Sequence, residues 1–366
     1  MVLPLEGGRA VELSGIGPSR YCGMLLAELG ADVVLVTRPD EAPRRADSVV
    51  GRGRQRVIAD LKSPEGRETV LQLVEQADVL VEPYRPGVAE RLGVGPEDCM
   101  ARNPRLIYGR ITGWGQDGPL AKTAGHDINY IAITGALHAI GRADGPPLPP
   151  LNLLGDFGAG TMFLLTGILA ALHQRERTGA GAVIDAAIVD GTLSLAAFIM
   201  GLRNEGQWSD ERGTNLLDTG APYYDVYRTA DDNWVAVGAI EPQFFAELLR
   251  LLAIDDAPPQ DDRARWPRLR ELIAQRFSQR SRDEWTKVFD GSDACVAPVL
   301  TFAEAAGHPH IAARNALADT DGRLVPAAAP RISTAAPGKS LHDGVDTTVA
   351  EVLARWKGSD GSIQYA

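Results

Sequence analysis

The stretch "RAVELSGIGPSRYCGMLLAELGADVVLVTRP", residues 9–39, decides the fold class of this chain. It contains an extended apolar segment, a glycine turn, a run with helical spacing of apolar residues and a second extended apolar run. This order predicts a β-strand, a helix and a parallel β-strand. The segments "RVIADLKS", "ADVLVEPY" and "RLIYGRITG" continue the alternation. The pattern therefore predicts an α/β fold with a doubly wound, mostly parallel sheet of the Rossmann-like type.

The alternating pattern ends near residue 187, and the rest of the chain predicts a second, smaller domain. A strongly apolar helical run and the polar stretch "NEGQWSDERGTNLLDTGAP" predict a crossing helix and linker over residues 188–219. A hairpin pattern with the turn "ADDN", followed by two amphipathic helical segments, predicts a small α+β domain over residues 220–325. Residues 326–366 combine an Ala/Pro-rich linker with a final helix, which we expect to dock on the large domain, residues 1–187.

The composition excludes several classes of protein and partner. An apolar fraction of 45% and a charged fraction of 23% are those of an ordinary soluble globular protein. A net charge of −11 argues against nucleic acid or an anionic membrane surface as a partner, because both bind broad basic faces. The longest apolar run, residues 162–172, is about half a membrane span and predicts a buried core helix. Three scattered cysteines and no signal-peptide pattern favour a cytoplasmic location without disulfides.

Basic residues follow several of the predicted strands. The turn "SGIGPSRYCG" departs from the dinucleotide fingerprint, because Pro18 interrupts it and Arg20 occupies the third glycine position. Arg38 stands where a ribose-binding acid is expected, which disfavours NAD; it is either a phosphate ligand or a surface arginine. Ligands of open α/β sheets bind at the carboxyl ends of strands. A local anion site is therefore predicted among further basic residues near strand ends, namely Arg52, Arg54, Arg56, Lys62 and Arg85.

Three residues are candidates for acid–base chemistry. His126 begins the strand-like stretch "HDINYIAITG" and is either a hydrogen-bonded structural residue or a base in a cleft. The adjacent Asp127 would point to the opposite face of an extended segment, so it is a poor partner for His126. Asp156, between glycines and before a helix, is either a capping residue or a carboxylate in a glycine-lined cleft. Glu241 precedes Pro242 at another helix start, where an acid also complements the helix dipole.

Several sequence blocks together resemble one known family. The blocks "GRGRQRVIADLK", "RPGVAERLGVGPE", "AGHDINY", "PPLNLLGDFGAG" and "VAVGAIEPQF", in this order, make nearly the whole chain similar to the α-methylacyl-CoA racemases of the family III CoA-transferase superfamily. The resemblance implies a racemase that interconverts (2R)- and (2S)-2-methylacyl-CoA thioesters. The implied reaction is a 1,1-proton transfer through an enolate, which requires no metal or redox cofactor. The resemblance also implies an interlocked homodimer.

The resemblance assigns catalytic roles to the three candidates. His126 and Asp156 would be two bases that remove and return the proton on opposite faces of the α-carbon. Glu241 would accept the second ring proton of His126. The enolate oxygen would be stabilised by a helix N-terminus, such as the one expected after Asp156, and by backbone N–H groups.

The resemblance also assigns residues to the CoA part of the substrate. Arg38 would bind the adenosine-phosphate end, and Arg85 would bind a phosphate. The backbone of four residues that follow the predicted third strand would surround the nucleotide, namely Ala59, Asp60, Leu61 and Lys62. The channel for the thioester would be lined by Gly125, Asp127, Ile128, Asn129 and Tyr130.

Two other functions remain open at this stage. A family III CoA-transferase would use Asp156 as a nucleophile and form acyl anhydrides. A catalytically inactive acyl-CoA-binding protein would use neither base. The motif "GHDINY" favours the racemase, because a transferase has no use for a second base opposite the aspartate. The sequence leaves open whether the acyl chain is a branched fatty acid, a sterol side chain or an aryl-propionate.

Overall fold

A computed structural model describes residues 3–41, 47–320, 323–332 and 345–358. The chain forms two compact units. The first consists of Met1–Thr134, Pro150–Ala196 and Val325–Ala366. The second consists of Gly135–Pro149 and Ala197–Leu324.

The first unit is built on one six-stranded sheet in which every neighbouring pair of strands is parallel. The strands are β1 (Arg9–Leu13), β2 (Asp32–Thr37), β3 (Arg54–Ile58), β4 (Val79–Glu82), β5 (Ile107–Thr112) and β6 (Ala182–Ala187). Their order is β3-β2-β1-β4-β5-β6, the doubly wound arrangement, so the predicted fold class is confirmed. The strand order reverses between β1 and β4, and ligands of such sheets bind at this reversal.

Helices cover the sheet on both faces. They are α1 (Pro18–Glu28), α2 (Asp47–Val50), α3 (Pro64–Val74), α4 (Val88–Arg91), α5 (Pro96–Arg102), α6 (Asp127–Ala132), α8 (Met162–Thr178), α9 (Ile188–Leu195) and α16 (Val349–Gly358). A π-helix, Leu153–Thr161, directly precedes α8. Successive residues of β2 illustrate the two cores: Val33 belongs to the cluster that contains Leu25 and Ile168, whereas Val34 belongs to the one that contains Leu73 and Trp356. This alternation is the two-residue period of a strand that is buried on both faces.

Helix α16 returns to the first unit and is fixed there by its last turn. Trp356 is 1% exposed, and its indole N–H donates to Asp32 at 2.9 Å. Arg355 pairs with the same carboxylate at 2.7 Å. One aspartate at the start of β2 therefore holds a helix that follows more than 300 residues later in the chain.

The second unit contains a three-stranded antiparallel sheet with helices around it. Its strands are β7 (Tyr224–Arg228), β8 (Trp234–Gly238) and β9 (Val296–Pro298), and β7 and β8 form the predicted hairpin. Its helices are α7 (Ala136–Ala139), α10 (Ala197–Asn204), α11 (Pro242–Leu252), α12 (Trp266–Phe277), α13 (Arg282–Phe289), α14 (Phe302–Gly307) and α15 (Pro309–Ala313), with a 3₁₀ turn at Arg263–Arg265. Strands β10 (Leu317–Thr320) and β11 (Arg323–Pro326) pair with each other. The core is aromatic, with Phe277 against Tyr227, Trp285 and Phe289.

The strand-like reading of "HDINYIAITG" was wrong. Residues Asp127–Ala132 form helix α6, and the side chain of Asn129 accepts the backbone N–H of His126 at 3.1 Å, which closes the first turn. Isoleucines favour strands on average, but the capping contact and the burial of Ile131 outweigh that propensity.

The apolar run at residues 162–172 is part of a longer helical stretch. The π-helix and α8 together form Leu153–Thr178, a stretch of 26 residues that is long and apolar enough to cross a membrane. One face of α8 is buried in the core of the first unit, through Leu164, Leu165, Ile168 and Leu172. This buried face confirms the expected core helix. In the most apolar 18-residue part of the stretch, 39% of the residues are buried, so much of the stretch is exposed.

Candidate active site

A cavity of about 230 Å³ opens at the carboxyl ends of the strands in the first unit. Ile16 and Pro18 reach it from the turn after β1, Pro83–Pro86 follow β4, and Ile111–Trp114 end β5. The cavity therefore lies at the reversal of strand order, where doubly wound sheets bind their ligands. His126 and Asp156, which the sequence places thirty residues apart, both line it.

His126 occupies the N-cap position of α6, and its side chain is exposed into the cavity region. The capping interaction uses its backbone N–H, which leaves the imidazole available for a substrate. A neutral imidazole is the protein base whose ordinary pKa lies nearest to neutral pH. Of the two readings for His126, the cleft position is the one observed.

Asp156 lies inside the π-helix, so of its two predicted positions the capping one is not observed. The N-cap residue is Asn152. The π-helix is held near α1 by Thr161, whose hydroxyl donates to the carbonyl of Pro18 at 2.8 Å. The helix N-terminus expected after Asp156 instead lies before it, because Asp156 is in the first turn of the π-helix. Gly17 at the start of α1 also lies close to Asp156. A Cβ on Gly17, which has a φ of 55°, would lie 3.2 Å from Oδ2 of Asp156.

The environment of Asp156 disfavours its charged form. Burial, followed by the negative charge of Asp127, raises the pKa of Asp156 to about 6, against the opposing effects of the Asn152 side chain and of His126. His126, which lowers this pKa, lines the same cavity as Asp156. A carboxyl group with a pKa near 6 can both give and accept a proton at neutral pH.

Asp127 is buried and directed toward the π-helix. Its Oδ2 accepts the backbone N–H of Asp156 at 2.7 Å, and it is 7% exposed. Burial raises the pKa of Asp127, and the backbone N–H groups of Asp156 and Gly155 act in the opposite direction. The expectation that Asp127 does not orient His126 agrees with this contact, although the extended geometry offered as its reason was wrong. Its role in substrate binding stays a prediction.

Aromatic residues form one wall of the cavity. Tyr130 packs edge-to-face on Trp114, with ring centroids 4.8 Å apart, and its hydroxyl donates to the carbonyl of Gly125. A Cβ on Gly113 would collide with the Tyr130 ring, so glycine is required where β5 ends. Trp114, Tyr84 and Ile188 were not predicted as lining residues. Trp114 and Tyr84 follow predicted strands within two residues, which is the signal that could have identified them.

The residues predicted to bind CoA lie in the loops that follow successive strands. Arg38 follows β2, residues 59–62 follow β3, and Arg85 follows β4 and lines the cavity. The side chain of Arg38 is 63% exposed. Burial raises the pKa of Tyr84 to about 12, and Arg38 lowers it in part, so the guanidinium acts on the cavity wall. Ile128 and Asn129 are exposed on α6.

Three of the arginines proposed for the anion site are engaged in ion pairs. Arg52 pairs with Glu28, Arg54 with Glu12 at 2.5 Å, and Arg56 with Asp346 at 2.5 Å. Each of these arginines therefore already has a carboxylate partner, and anion binding by them stays a prediction. Their positive charge is neutralised by carboxylates that sequence spacing does not reveal. The other basic residues near these strand ends are Lys62, Arg85 and Arg38, and Arg38 makes only an exposed ion pair with Asp40 at 4.0 Å.

Glu241 belongs to the second unit, at the N-cap position of α11. Its side chain makes no capping hydrogen bond. Burial raises the pKa of Cys295, and the negative charge of Glu241 adds to that effect. Support of His126 by Glu241 stays a prediction. Among the described residues, no group of three or more His, Cys, Asp or Glu side chains could hold a metal ion.

Comparison with known proteins identifies relatives over nearly the whole chain. The model of the CoA-transferase family III matches residues 5–341. The α-methylacyl-CoA racemase of Mus musculus is 44% identical over 365 residues, covering 98% of this chain and 95% of the relative. That of Homo sapiens is 46% identical over 310 residues, covering 84% and 81%. The crystal structure of a CAIB/BAIF family protein from Brucella suis superimposes with a TM-score of 0.82 at 26% identity, covering 97% of this chain and 100% of that one.

Proposed function

Because the chain belongs to the CoA-transferase family III, we propose that it is an α-methylacyl-CoA racemase, an isomerase that interconverts the (2R) and (2S) epimers of 2-methylacyl-CoA thioesters. The observation that carries the proposal on the structural side is the meeting of His126 and Asp156 in one cavity. A histidine and a carboxyl group of raised pKa supply the two proton-transfer groups that inversion at one carbon needs.

The proposed reaction removes one proton from the α-carbon and returns another to its opposite face, with no net change in any other bond. In one direction, ionised Asp156 removes the α-proton, and the electron pair moves into the thioester carbonyl to give an enolate. Protonated His126 then returns a proton to the opposite face of the α-carbon. In the reverse direction neutral His126 is the base and protonated Asp156 is the acid. The pair is therefore active when it carries one proton, on either residue.

Binding of the CoA part is proposed for the loops after β2, β3 and β4. Arg38 and Arg85 are cations that can pair with phosphate oxygens, and guanidinium groups bind these bidentately. Residues 59–62 offer backbone groups beside them. Gly125 and Tyr130 line the cavity, and Ile128 and Asn129 are exposed on the same helix. The loops and α6 provide a path from a polar phosphate site to the cavity, as an acyl-CoA thioester requires.

A homodimer is also part of the proposal. Several apolar residues of the first unit are exposed along the edge strand β6 and helices α8 and α9, namely Met162, Phe163, Val183, Leu193 and Leu195, each at 36–47%. Exposed apolar groups on an edge strand and its neighbouring helices are typical of a protein interface. The resemblance specifies the interlocked arrangement, in which Glu241 of the second unit would support His126. Sedimentation analysis would test the dimer.

Neither a cofactor nor a further macromolecular partner is proposed. Proton transfer leaves the oxidation state of the substrate unchanged, so the residues of the cavity suffice for the chemistry. The net charge of −11 continues to disfavour nucleic acid and membrane surfaces. A cytoplasmic location is proposed because Cys22, Cys99 and Cys295 are free thiols.

The deciding experiment is incubation of one epimer of a 2-methylacyl-CoA in deuterated water. We expect deuterium at the α-carbon together with loss of configuration. Transfer of CoA to a free acid acceptor without α-deuteration would identify a CoA-transferase that uses Asp156 as a nucleophile. Tight binding with neither reaction would identify an inactive acyl-CoA-binding protein. A panel of branched-chain, sterol and aryl-propionyl thioesters would identify the acyl chain.

A further inference from the structure

The contact between Asp127 and the π-helix has a consequence for the catalytic carboxyl group. We propose that Asp127 is a positioning residue for Asp156: its carboxylate holds the backbone of the π-helix at Gly155 and Asp156 and places a second negative charge beside the catalytic side chain. This inference rests on the proposed racemase function, and it is an alternative to the predicted role of Asp127 in substrate binding.

The geometry of the contact is specific to this position. Oδ2 of Asp127 accepts the N–H of Asp156 at 2.7 Å, so the carboxylate on α6 fixes the backbone of the residue that carries the base. A Cβ on Gly155 would lie 2.5 Å from the same oxygen. Glycine at 155 is therefore what allows the carboxylate to approach the π-helix backbone. The contact joins the two segments that carry His126 and Asp156.

A π-helix needs such support. Its i→i+5 hydrogen bonds are less favourable than those of an α-helix, and π-helical turns occur mostly at functional sites. The first turn contains Asp156, and its N-cap residue Asn152 makes no side-chain cap. Asp127 supplies an acceptor for a first-turn N–H that has no acceptor within the helix. Displacing a catalytic group by about 1 Å costs on the order of 10²-fold in rate, so this acceptor affects catalysis through geometry.

The second effect of Asp127 is electrostatic. Two carboxylates that share a site disfavour each other's ionisation. The negative charge of Asp127 is, after burial, the largest cause that raises the pKa of Asp156 to about 6. His126 and Asn152 act in the opposite direction. Tyr130 also faces Asp156, and its own pKa is raised by burial and then by Asp156.

The charged groups on the other elements packed against the π-helix interact with residues other than Asp156. On α1, Arg20 pairs with Glu41, and Tyr21 packs on Phe157. On β5 and α9, Arg110 and Asp190 act on the pKa of Asp185 in β6. Helix α8 carries its charged residues in its last turns, over residues 173–177. Asp127 is therefore the acidic group that acts most directly on Asp156.

The test compares Asp127→Asn with Asp127→Leu and Gly155→Ala in the purified full-length enzyme. The asparagine keeps a carbonyl acceptor for the Asp156 N–H but removes the charge. For Asp127→Asn, we expect the fall of log kcat/KM at acidic pH to begin at a lower pH than in the wild type. We expect its KM for the acyl-CoA to stay within about twofold of the wild-type value. Asp127→Leu removes both charge and acceptor, and Gly155→Ala pushes the carboxylate away. In both variants we expect a fall in kcat of about 10²-fold.

Asp78→Asn is the matched control, because Asp78 also accepts a backbone N–H, from Arg9 at 2.9 Å, but does so at the start of β4. We expect its acidic limb to coincide with that of wild type. If Asp127→Asn also leaves the limb in place, or if it raises KM at least tenfold with kcat unchanged, the positioning role is refuted and substrate binding is supported. A wild-type enzyme without α-deuteration would instead refute the racemase proposal, so the two failures are distinguishable.

Discussion

The two edges of the parallel sheet carry carboxylates in opposite situations. At the amino ends of the strands, Asp78 precedes β4 and pairs with the buried Arg175 at 2.8 Å. At the carboxyl ends, Asp156 faces a cavity and lies beside a second carboxylate, Asp127. The first carboxylate has a cationic partner, whereas burial and a second carboxylate disfavour the ionised form of Asp156. The difference shows two uses of a carboxylate in one sheet. An ion-paired carboxylate holds strands together at one edge, and a carboxylate without a full counter-charge is available for proton transfer at the other.

The largest expected change in activity follows from removal of one of the two proposed catalytic bases. His126→Gln and Asp156→Asn should each lower racemisation by about 10³-fold or more, because each removes one of the two proton-transfer groups. Each variant should still exchange the α-proton of one epimer with solvent and retain its configuration, since one base remains. The assay is chiral chromatography with mass spectrometry in deuterated water. Near-full two-way activity in either variant would remove that residue from the mechanism.

The same substitution should affect stability in opposite directions at the two edges. Asp78→Asn removes the carboxylate at 2.8 Å from the buried Arg175 and leaves it only that of Glu176 at 3.8 Å, so it should lower the free energy of unfolding by about 3 kcal/mol, with kcat unchanged. Asp156→Asn removes a carboxylate whose charged form is disfavoured, so at pH 8 it should raise the free energy of unfolding. Urea denaturation measures both changes. A stabilised Asp78→Asn protein would show that the comparison of the two edges does not hold.

The pH dependence of the reaction should reflect the environment of Asp156. Below the pKa of Asp156, about 6, this carboxyl group is protonated and can no longer act as a base. We therefore expect kcat/KM to fall about tenfold for each pH unit below that value. In Asp156→Glu, any residual activity should show a different acidic limb. A profile that stays flat down to pH 4.5 would exclude a base with this raised pKa.

The smallest expected effect concerns the exposed end of the ligand site. Arg38→Ala should raise KM for the acyl-CoA about tenfold, equivalent to about 1.4 kcal/mol, with kcat unchanged, because its contact is remote from the reacting carbon. Arg228→Ala, which removes an exposed arginine on β7 of the second unit, is the control and should leave KM as it is. A large fall in kcat at saturating substrate would show that Arg38 acts on the chemical step.

Local pattern predicted some of the site and failed for the rest for identifiable reasons. Arg38 and Arg85 were placed correctly after β2 and β4, because strand ends are readable from apolar runs. The same rule selected Arg52, Arg54 and Arg56, which form ion pairs in the structure. Local pattern does not reveal these ion pairs, because the carboxylate partners lie 24 to 290 residues away in the chain. Helix α6 was missed because its first turn is closed by a side chain and not by strong helix propensity.

The second unit shows the same limit at the level of the whole chain. Its helices α11 and α12 and its hairpin follow from periodicity and turn chemistry. The inclusion of residues 135–149 in this unit does not follow from them. It depends on contacts such as those of Arg212, whose guanidinium donates to the backbone carbonyls of His138 and Arg142 at 2.8 and 3.1 Å. No local signal specifies which distant carbonyl an arginine will reach.

The sequence by itself determined the doubly wound sheet, the family and the identity of the two candidate bases, because these depend on local periodicity and on motifs that are contiguous in the chain. The tertiary structure alone decided that His126 and Asp156 share a cavity, that Asp127 faces the π-helix and that three arginines are neutralised. The physical reason is that burial and charge–charge interaction depend on distance in space, which the order of residues does not encode locally.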